Sequence, residues 1–141
     1  VPTRWIDQGA SKAIEILEVP NRYLAGITEV ALKEHVADKT SWQKMLKNEV
    51  STDDLIEARE KLKQYIPEEA QPYFLANNGK ITEINYPVLQ YPKKIKSLNL
   101  EKSHVYSGKL KGVKGQYLLF EDTTVFNVRN NEGIRVIITI K

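Results

Sequence analysis

At Asn77-Asn78-Gly79 the spacing of apolar residues changes period, from three and four to two. A chain that reads helical before a turn and alternates after it cannot form one continuous bundle or one β-sandwich; it must join a helical region to a sheet. We therefore expect an α+β fold with two regions, residues 1–78 and 79–141. The first would hold helices around a short strand, the second a small antiparallel sheet or barrel of about six strands.

Within 1–78, Thr3 is placed to cap a short helix reaching Gln8, and Gly9 is suited to its left-handed end. The run AIEILEV at 13–19 alternates as a strand and stops at Pro20. Asn21 is an N-cap for a helix over 22–36, whose inner face carries Leu24, Ile27, Ala31 and either Val30 or Leu32. Gly26 lies inside that helix, where it costs about 1 kcal/mol against Ala and calls for a close-packing reason. A shorter helix follows Ser41, with Trp42, Met45 and Leu46 inward. Another runs from the Thr52-Asp53-Asp54 cap to Tyr65, with Leu55, Ile56, Leu62 and Ile66 inward, and ends at Pro67.

Within 79–141 the expected strands are 80–88, 95–100, 104–111, 116–120, 123–128 and 134–140, separated by Gly, Pro and Asn turns. The run VIITI at 136–140 is apolar on both faces, which predicts a central strand.

Charge divides at the same place. Residues 1–78 carry 10 Lys+Arg and 13 Asp+Glu, a net of −3; residues 79–141 carry 11 and 5, a net of +6. A basic sheet region suggests a polyanion partner, DNA or RNA; a solvated lysine face that protects exposed strand edges accounts for the same charges. The loop Leu110-Lys-Gly-Val-Lys-Gly-Gln-Tyr117 brings two glycines and two lysines together, as in loops whose backbone N–H groups approach an anion, without the spacing of a triphosphate-binding loop. Lys109, Lys111, Lys114, Tyr117 and Arg129 are the expected nucleic-acid contacts, the cations for phosphate and the ring for stacking. The structural alternative makes the glycines a hairpin turn and the ring a core residue. In the stretch DKTSW at 38–42, Lys39 and Trp42 are candidates for phosphate and base; equally, Asp38 or Thr40 caps a helix and Trp42 anchors it in the core.

Several chemistries drop out. The 141 residues contain no cysteine, so thiolate sites are excluded; with two histidines, His35 and His104, 69 positions apart, a metal site built mainly from imidazole is not expected. No serine sits in a nucleophile elbow, and His104 has only Glu101 near it in sequence. No apolar run approaches the roughly 18 residues of a membrane span and no signal peptide opens the chain, so a cytoplasmic protein without a membrane partner is expected.

Two resemblances add to this. The segments TRWIDQGAS at 3–11, AGITEVALKEHVADKTSWQKML at 25–46 and LKGVKGQYLLFEDTTVFNVRNNEG at 110–133 resemble a bacterial family of unknown function. Its longer members begin with a cysteine-rich segment and a strand pair, which implies that this chain is the C-terminal part of something longer. The helix, strand, helix order of 3–37 resembles the latter part of GIY-YIG nucleases. In that family a preceding hairpin supplies two tyrosines, the next helix an arginine and a later helix the metal-binding glutamate. That resemblance implies that Arg4 steadies charge on a phosphoryl oxygen and that Glu29 holds Mg²⁺. No hairpin precedes Arg4, so the nuclease site would be incomplete: this stretch is expected to be inactive and to carry no cofactor, Mg²⁺ belonging to the longer parent. The competing expectations are a non-catalytic protein–protein interaction module, its protein partner unknown, and a small-ligand site between the two regions.

Overall fold

The computed structural model describes residues 2–37, 40–76 and 80–141. The fold is α+β: among the described residues there are four α-helices and two small sheets, neither closed into a barrel. The expected turn at Asn77-Asn78-Gly79, and the Asp38-Lys39 pair, lie outside the described residues.

Local chemistry sets most helix ends. Helix α1, Thr3–Asp7, closes through Gly9 at φ +72°. Helix α2, Arg22–Leu32, begins where the Asn21 side chain accepts a hydrogen bond from the Leu24 N–H at 3.0 Å. It buries Leu24, Thr28 and Leu32 and leaves Val30 in solvent. Helix α3, Trp42–Leu46, starts at Ser41 without a side-chain cap. Helix α4, Leu55–Leu62, begins where Asp54 accepts from the N–H groups of Ile56 and Glu57, and a 3₁₀ turn, Lys63–Tyr65, carries it to Pro67. The buried side chain of α4 is Arg59 rather than Ile56, which is 40% exposed.

The strands depart further from expectation. Strand β1 is only Lys12–Ala13, although the chain beyond it stays extended and bridges to Phe74 through Leu17. Its partner β2, Thr82–Glu83, is all that forms a strand of the expected 80–88, and it pairs antiparallel with β1 across the 78/79 break. The larger sheet has the order β3-β6-β5-β4, from β3 (Lys96–Ser97), β4 (Leu110–Lys114), β5 (Tyr117–Phe120) and β6 (Thr124–Asn127). A tight turn with Gly115 at φ +57° joins β4 to β5. Strand β3 pairs parallel to β6, not antiparallel.

The expected central strand 134–140 does not form. Ile137, Ile138 and Ile140 are 93%, 78% and 92% exposed. Both sides of β6 are already taken, by β5 and β3, and the outer edge of β4 is bridged by Val88 and by the Leu89 N–H to the Lys111 carbonyl. With the 3₁₀ turn Arg129–Asn131 and Gly133 at φ +86° leading away from β6, no slot remains for a further inner strand.

Packing divides into two clusters that do not follow the break at 78/79. The first gathers Leu24, Leu32, Ile66 and Ala70, with Leu17 and Phe74 against them. The second gathers Leu46 of α3 with Tyr117, Leu119 and Val125 of the sheet, and Val88, Tyr91 and Ile95 pack onto it. Helix α1 also belongs to the sheet side. The Tyr86 hydroxyl lies 3.0 Å from the Ala10 carbonyl, to which it donates, and a Cβ on Gly9 would meet the Met45 sulfur.

Candidate functional site

Side chains on a strand alternate, so Tyr117 and Leu119 of β5 share a face, and their register partners Asn127 and Val125 of β6 share it too. Leu46 of α3 seals the Leu119–Val125 end, where all three are at most 1% exposed. The helix is only five residues long, and the Tyr117–Asn127 end of the same face opens into a cleft of about 740 Å³. This is within the size range of small-molecule sites.

Trp42 lies in the cleft wall, 38% exposed, with its indole nearly parallel to the Tyr117 ring at 6.1 Å between centroids. It is therefore not the buried anchor of α3; Leu46 is. Asp7 and Gln8 from the end of α1 also line the cleft, as do Asn99 and Glu101 beyond β3. Asn127, Asn130 and Asn131 line it near the C-terminal end of β6, with Gln116 from the hairpin turn. Among the described residues the lining holds two carboxylates and several amides, and no lysine or arginine.

Three of the amides are already oriented by their own loops. The Asn99 side-chain oxygen accepts from the N–H groups of Glu101 and Lys102, at 2.9 and 3.3 Å. The Asn127 oxygen accepts from the Asn130 N–H at 3.0 Å, and the Asn131 amide nitrogen donates to the Asn127 carbonyl at 2.7 Å. Cations stand beside the lining residues in the chain: Lys96 before Ser97, Lys102 after Glu101 and Arg129 before Asn130, all exposed.

The expected nucleic-acid contacts scatter. Lys114 is 2% exposed; its ammonium donates to the Met45 carbonyl at 3.0 Å and to the Asn48 side-chain oxygen at 3.2 Å. It sits 4.9 Å from the Tyr91 ring centre and 5.6 Å from that of Tyr86. Burial holds its pKa below the usual lysine value. Such a lysine ties α3 to β4 and faces no phosphate. Tyr117 is a core ring behind Trp42. Lys111 is mostly covered and pairs with Glu121 at 3.2 Å, Arg129 is exposed and pairs with Asp7 at 3.9 Å, and Lys109 is exposed.

Arg4 and Glu29 are exposed on helices that belong to different clusters, α1 on the sheet side and α2 in the helical one. Among the described residues no group of three or more His, Asp or Glu is placed to hold a metal ion. His35 stacks on Tyr65 at 3.5 Å, joining the end of α2 to the turn after α4.

A family model described as a protein of unknown function, DUF2797, matches residues 1–136. The chain belongs to the DUF2797 family. Comparison with curated proteins and with solved structures gives no match. No helix among the described residues of this DUF2797 chain is long and apolar enough to cross a membrane. Sequence reasoning singled out Trp42 but not the amides around it: Asn99 and Asn127 fall within the expected strands 95–100 and 123–128, and Asn130 and Asn131 read as a turn. In the structure Asn99, Asn127 and Asn131 all make turn contacts, and all three residues line the cleft.

Proposed function

We propose that this DUF2797 chain binds single-stranded nucleic acid, with one base in the cleft against Trp42 and the sugar–phosphate strand outside on the rim. The observation that carries this is a partly exposed indole, backed by Tyr117, in a cleft whose described lining is rich in amides. A site of that composition suits an uncharged ring with a polar edge. Lys96, Lys102 and Arg129 supply the phosphate contacts beside it. Arg4 and Glu29 are assigned no chemistry.

Fluorescence titration of the chain with a mixed-sequence single-stranded 12-mer tests this. With three phosphate contacts the affinity should fall roughly 20-fold between 50 and 200 mM salt. Trp42→Ala should weaken binding by about 5- to 150-fold, since stacking one base contributes about 1–3 kcal/mol. The matching duplex should compete poorly. Absence of binding at low salt, or a Trp42→Ala protein with unchanged affinity, would overturn the proposal.

A further inference from the structure

We infer that residues 134–140 are a docking strand for a second copy of this chain, the two runs pairing antiparallel about Ile137 and laying their apolar side on the outer faces of the two four-stranded sheets. This self-association is independent of the nucleic-acid reading, and none of the residues it uses lines the cleft.

In the alternating order of a strand, Ile134, Val136, Ile138 and Ile140 share one side and Arg135, Ile137 and Thr139 the other. The first side is wholly apolar. Exposure along it climbs from 43% and 50% at Ile134 and Val136 to 78% and 92% at Ile138 and Ile140, so the run parts from its own molecule as it proceeds. Among the described residues nothing forms a backbone hydrogen bond with 135–141. A β-branched run with its backbone groups unpaired is a template for another strand.

The sheet has the matching deficit. Its face opposite Tyr117, Leu119 and Val125 carries Leu110 and Val113 of β4, Leu118 and Phe120 of β5 and Phe126 of β6, and none of these five belongs to either buried cluster. A shallow groove of about 410 Å³ runs past Val113, Leu118 and the exposed Val128, where the chain leaves β6 on its way to Ile134. One strand laid there alone would set its free N–H and C=O groups against apolar side chains. A second 134–140 run pairs those groups, and the sequence supplies a register for it. Centred on Ile137, the pairing sets Ile134 opposite Ile140, Val136 opposite Ile138 and Arg135 opposite Thr139; centred on Ile138, it would set Arg135 opposite Lys141, two like charges. The two-fold closes the contact on itself. Fully burying a Val or Ile side chain removes roughly 60–120 Å². Discounted for the cover that Ile134 and Val136 already have, and with the receiving faces counted, the two runs bury roughly 800–1,700 Å², against roughly 1,200–2,000 Å² for stable interfaces. A dimer of that size dissociates on dilution.

Sedimentation equilibrium of the full chain, from micromolar to several hundred micromolar, tests this. The apparent mass should climb with concentration from 16.2 kDa toward twice that value. Ile138 is largely exposed, so Ile138→Lys should fold normally; it should keep the monomer mass throughout, because it sets an ammonium from each copy into the apolar layer. The register is read by cross-linking, which the absence of cysteine makes clean. In Ile137→Cys the two thiols face each other across the two-fold, and mild oxidation should link the copies covalently. In Thr139→Cys the two positions stand roughly 14 Å apart, beyond the reach of a disulfide, and the protein should remain unlinked. A monomer at every concentration, a dimer that survives Ile138→Lys, or Thr139→Cys linking as readily as Ile137→Cys would each overturn the pairing, whatever the chain does with oligonucleotides.

Discussion

The two clusters of this molecule each bury a cation against aromatic rings, and they do it with different chemistry. In the helical cluster Arg59, 2% exposed, donates through Nη2 to the Ala76 carbonyl at 3.1 Å and the Glu60 carboxylate at 3.2 Å, with its guanidinium 5.6 Å from the Phe74 ring centre. In the sheet cluster Lys114, also 2% exposed, has a backbone carbonyl and an amide oxygen for partners and the Tyr91 and Tyr86 rings beside it. A guanidinium spreads its charge over a planar fork and stays charged, and here it has a carboxylate; an ammonium is a compact charge that yields its proton more readily when buried. The consequence is a division of labour. The helical cluster closes on itself, whereas the lysine holds a five-residue helix against a sheet whose inner face extends past it, and that overhang is the cleft.

The comparison breaks most sharply at Leu46, which is fully buried. Leu46→Ala should cost about 3–5 kcal/mol in urea unfolding and should disturb the Trp42 environment, because Leu46 seals the face that Trp42 borders. Leu32→Ala, in the helical cluster, should cost about 2–4 kcal/mol and leave oligonucleotide binding by the folded fraction unchanged. Equal disturbance of the cleft by both would mean one core rather than two.

Lys114 comes next. Lys114→Ala should cost about 2–4 kcal/mol, since it leaves a cavity and strips the Met45 carbonyl of its partner; Lys114→Met keeps most of the volume and should cost less. The pH dependence separates charge from packing. The folded-state pKa of Lys114 lies below the unfolded value of 10.5. Between the two the unfolded chain binds more protons, so this group's contribution to stability rises with pH and levels off above 10.5. Burial raises the pKa of Tyr86 and Tyr91 instead, so their contribution falls as pH passes 10.0. Lys114→Met should remove the rising component, visible in the difference between wild-type and variant stabilities as pH climbs toward 10.5.

What could be read from the residues alone follows from how local each cause is. Asn21 and Asp54 cap their helices as their residue types suggest, and Gly9 and Gly115 take the left-handed conformations their turns require. These effects span three or four residues. The β1–β2 pair joins positions some 70 residues apart, and nothing in Lys12–Ala13 names its partner. The run at 134–140 has the residues of a central strand, but whether a sheet has room for it depends on which strands flank β6. Counting Lys114 with the basic surface failed for a related reason. A charge can be buried where a carbonyl and two rings converge, and Met45 on one side and Tyr86 and Tyr91 on the other come from stretches of chain far from Lys114 in sequence. The cleft was half legible: an indole near a loop is conspicuous, but Asn99 and Asn127 fall within expected strands, and where β3 and β6 stop depends on their partners rather than on these residues.

A smaller effect sharpens the helical side. Gly26 lies in the middle of α2, and a Cβ built on it meets no atom within 4 Å. The structure therefore supplies no packing reason for glycine there. Gly26→Ala should stabilise the protein by about 1 kcal/mol, through the lower entropy of the unfolded chain and better helix propensity. Calorimetry should register an upward shift in Tm, with oligonucleotide binding unchanged because α2 does not line the cleft.

The smallest expected effect is at the sheet's other end, where Asp122 is solvent-exposed. The Tyr106 hydroxyl donates to it at 2.8 Å and the Thr124 N–H at 3.1 Å, and these two bonds, the hydroxyl first, hold its pKa below the usual value of 3.8. A carboxyl more acidic in the folded chain binds fewer protons there than in the unfolded one. Its stabilisation is complete above 3.8 and disappears as pH falls through the depressed folded value. Tyr106→Phe removes the donor of the shorter bond and keeps the ring that meets Phe120 edge-on at 5.0 Å. Acid unfolding of Tyr106→Phe should therefore show a shallower loss below pH 3.8, while Lys114→Met, whose group titrates at the opposite end of the scale, should leave that limb unaltered.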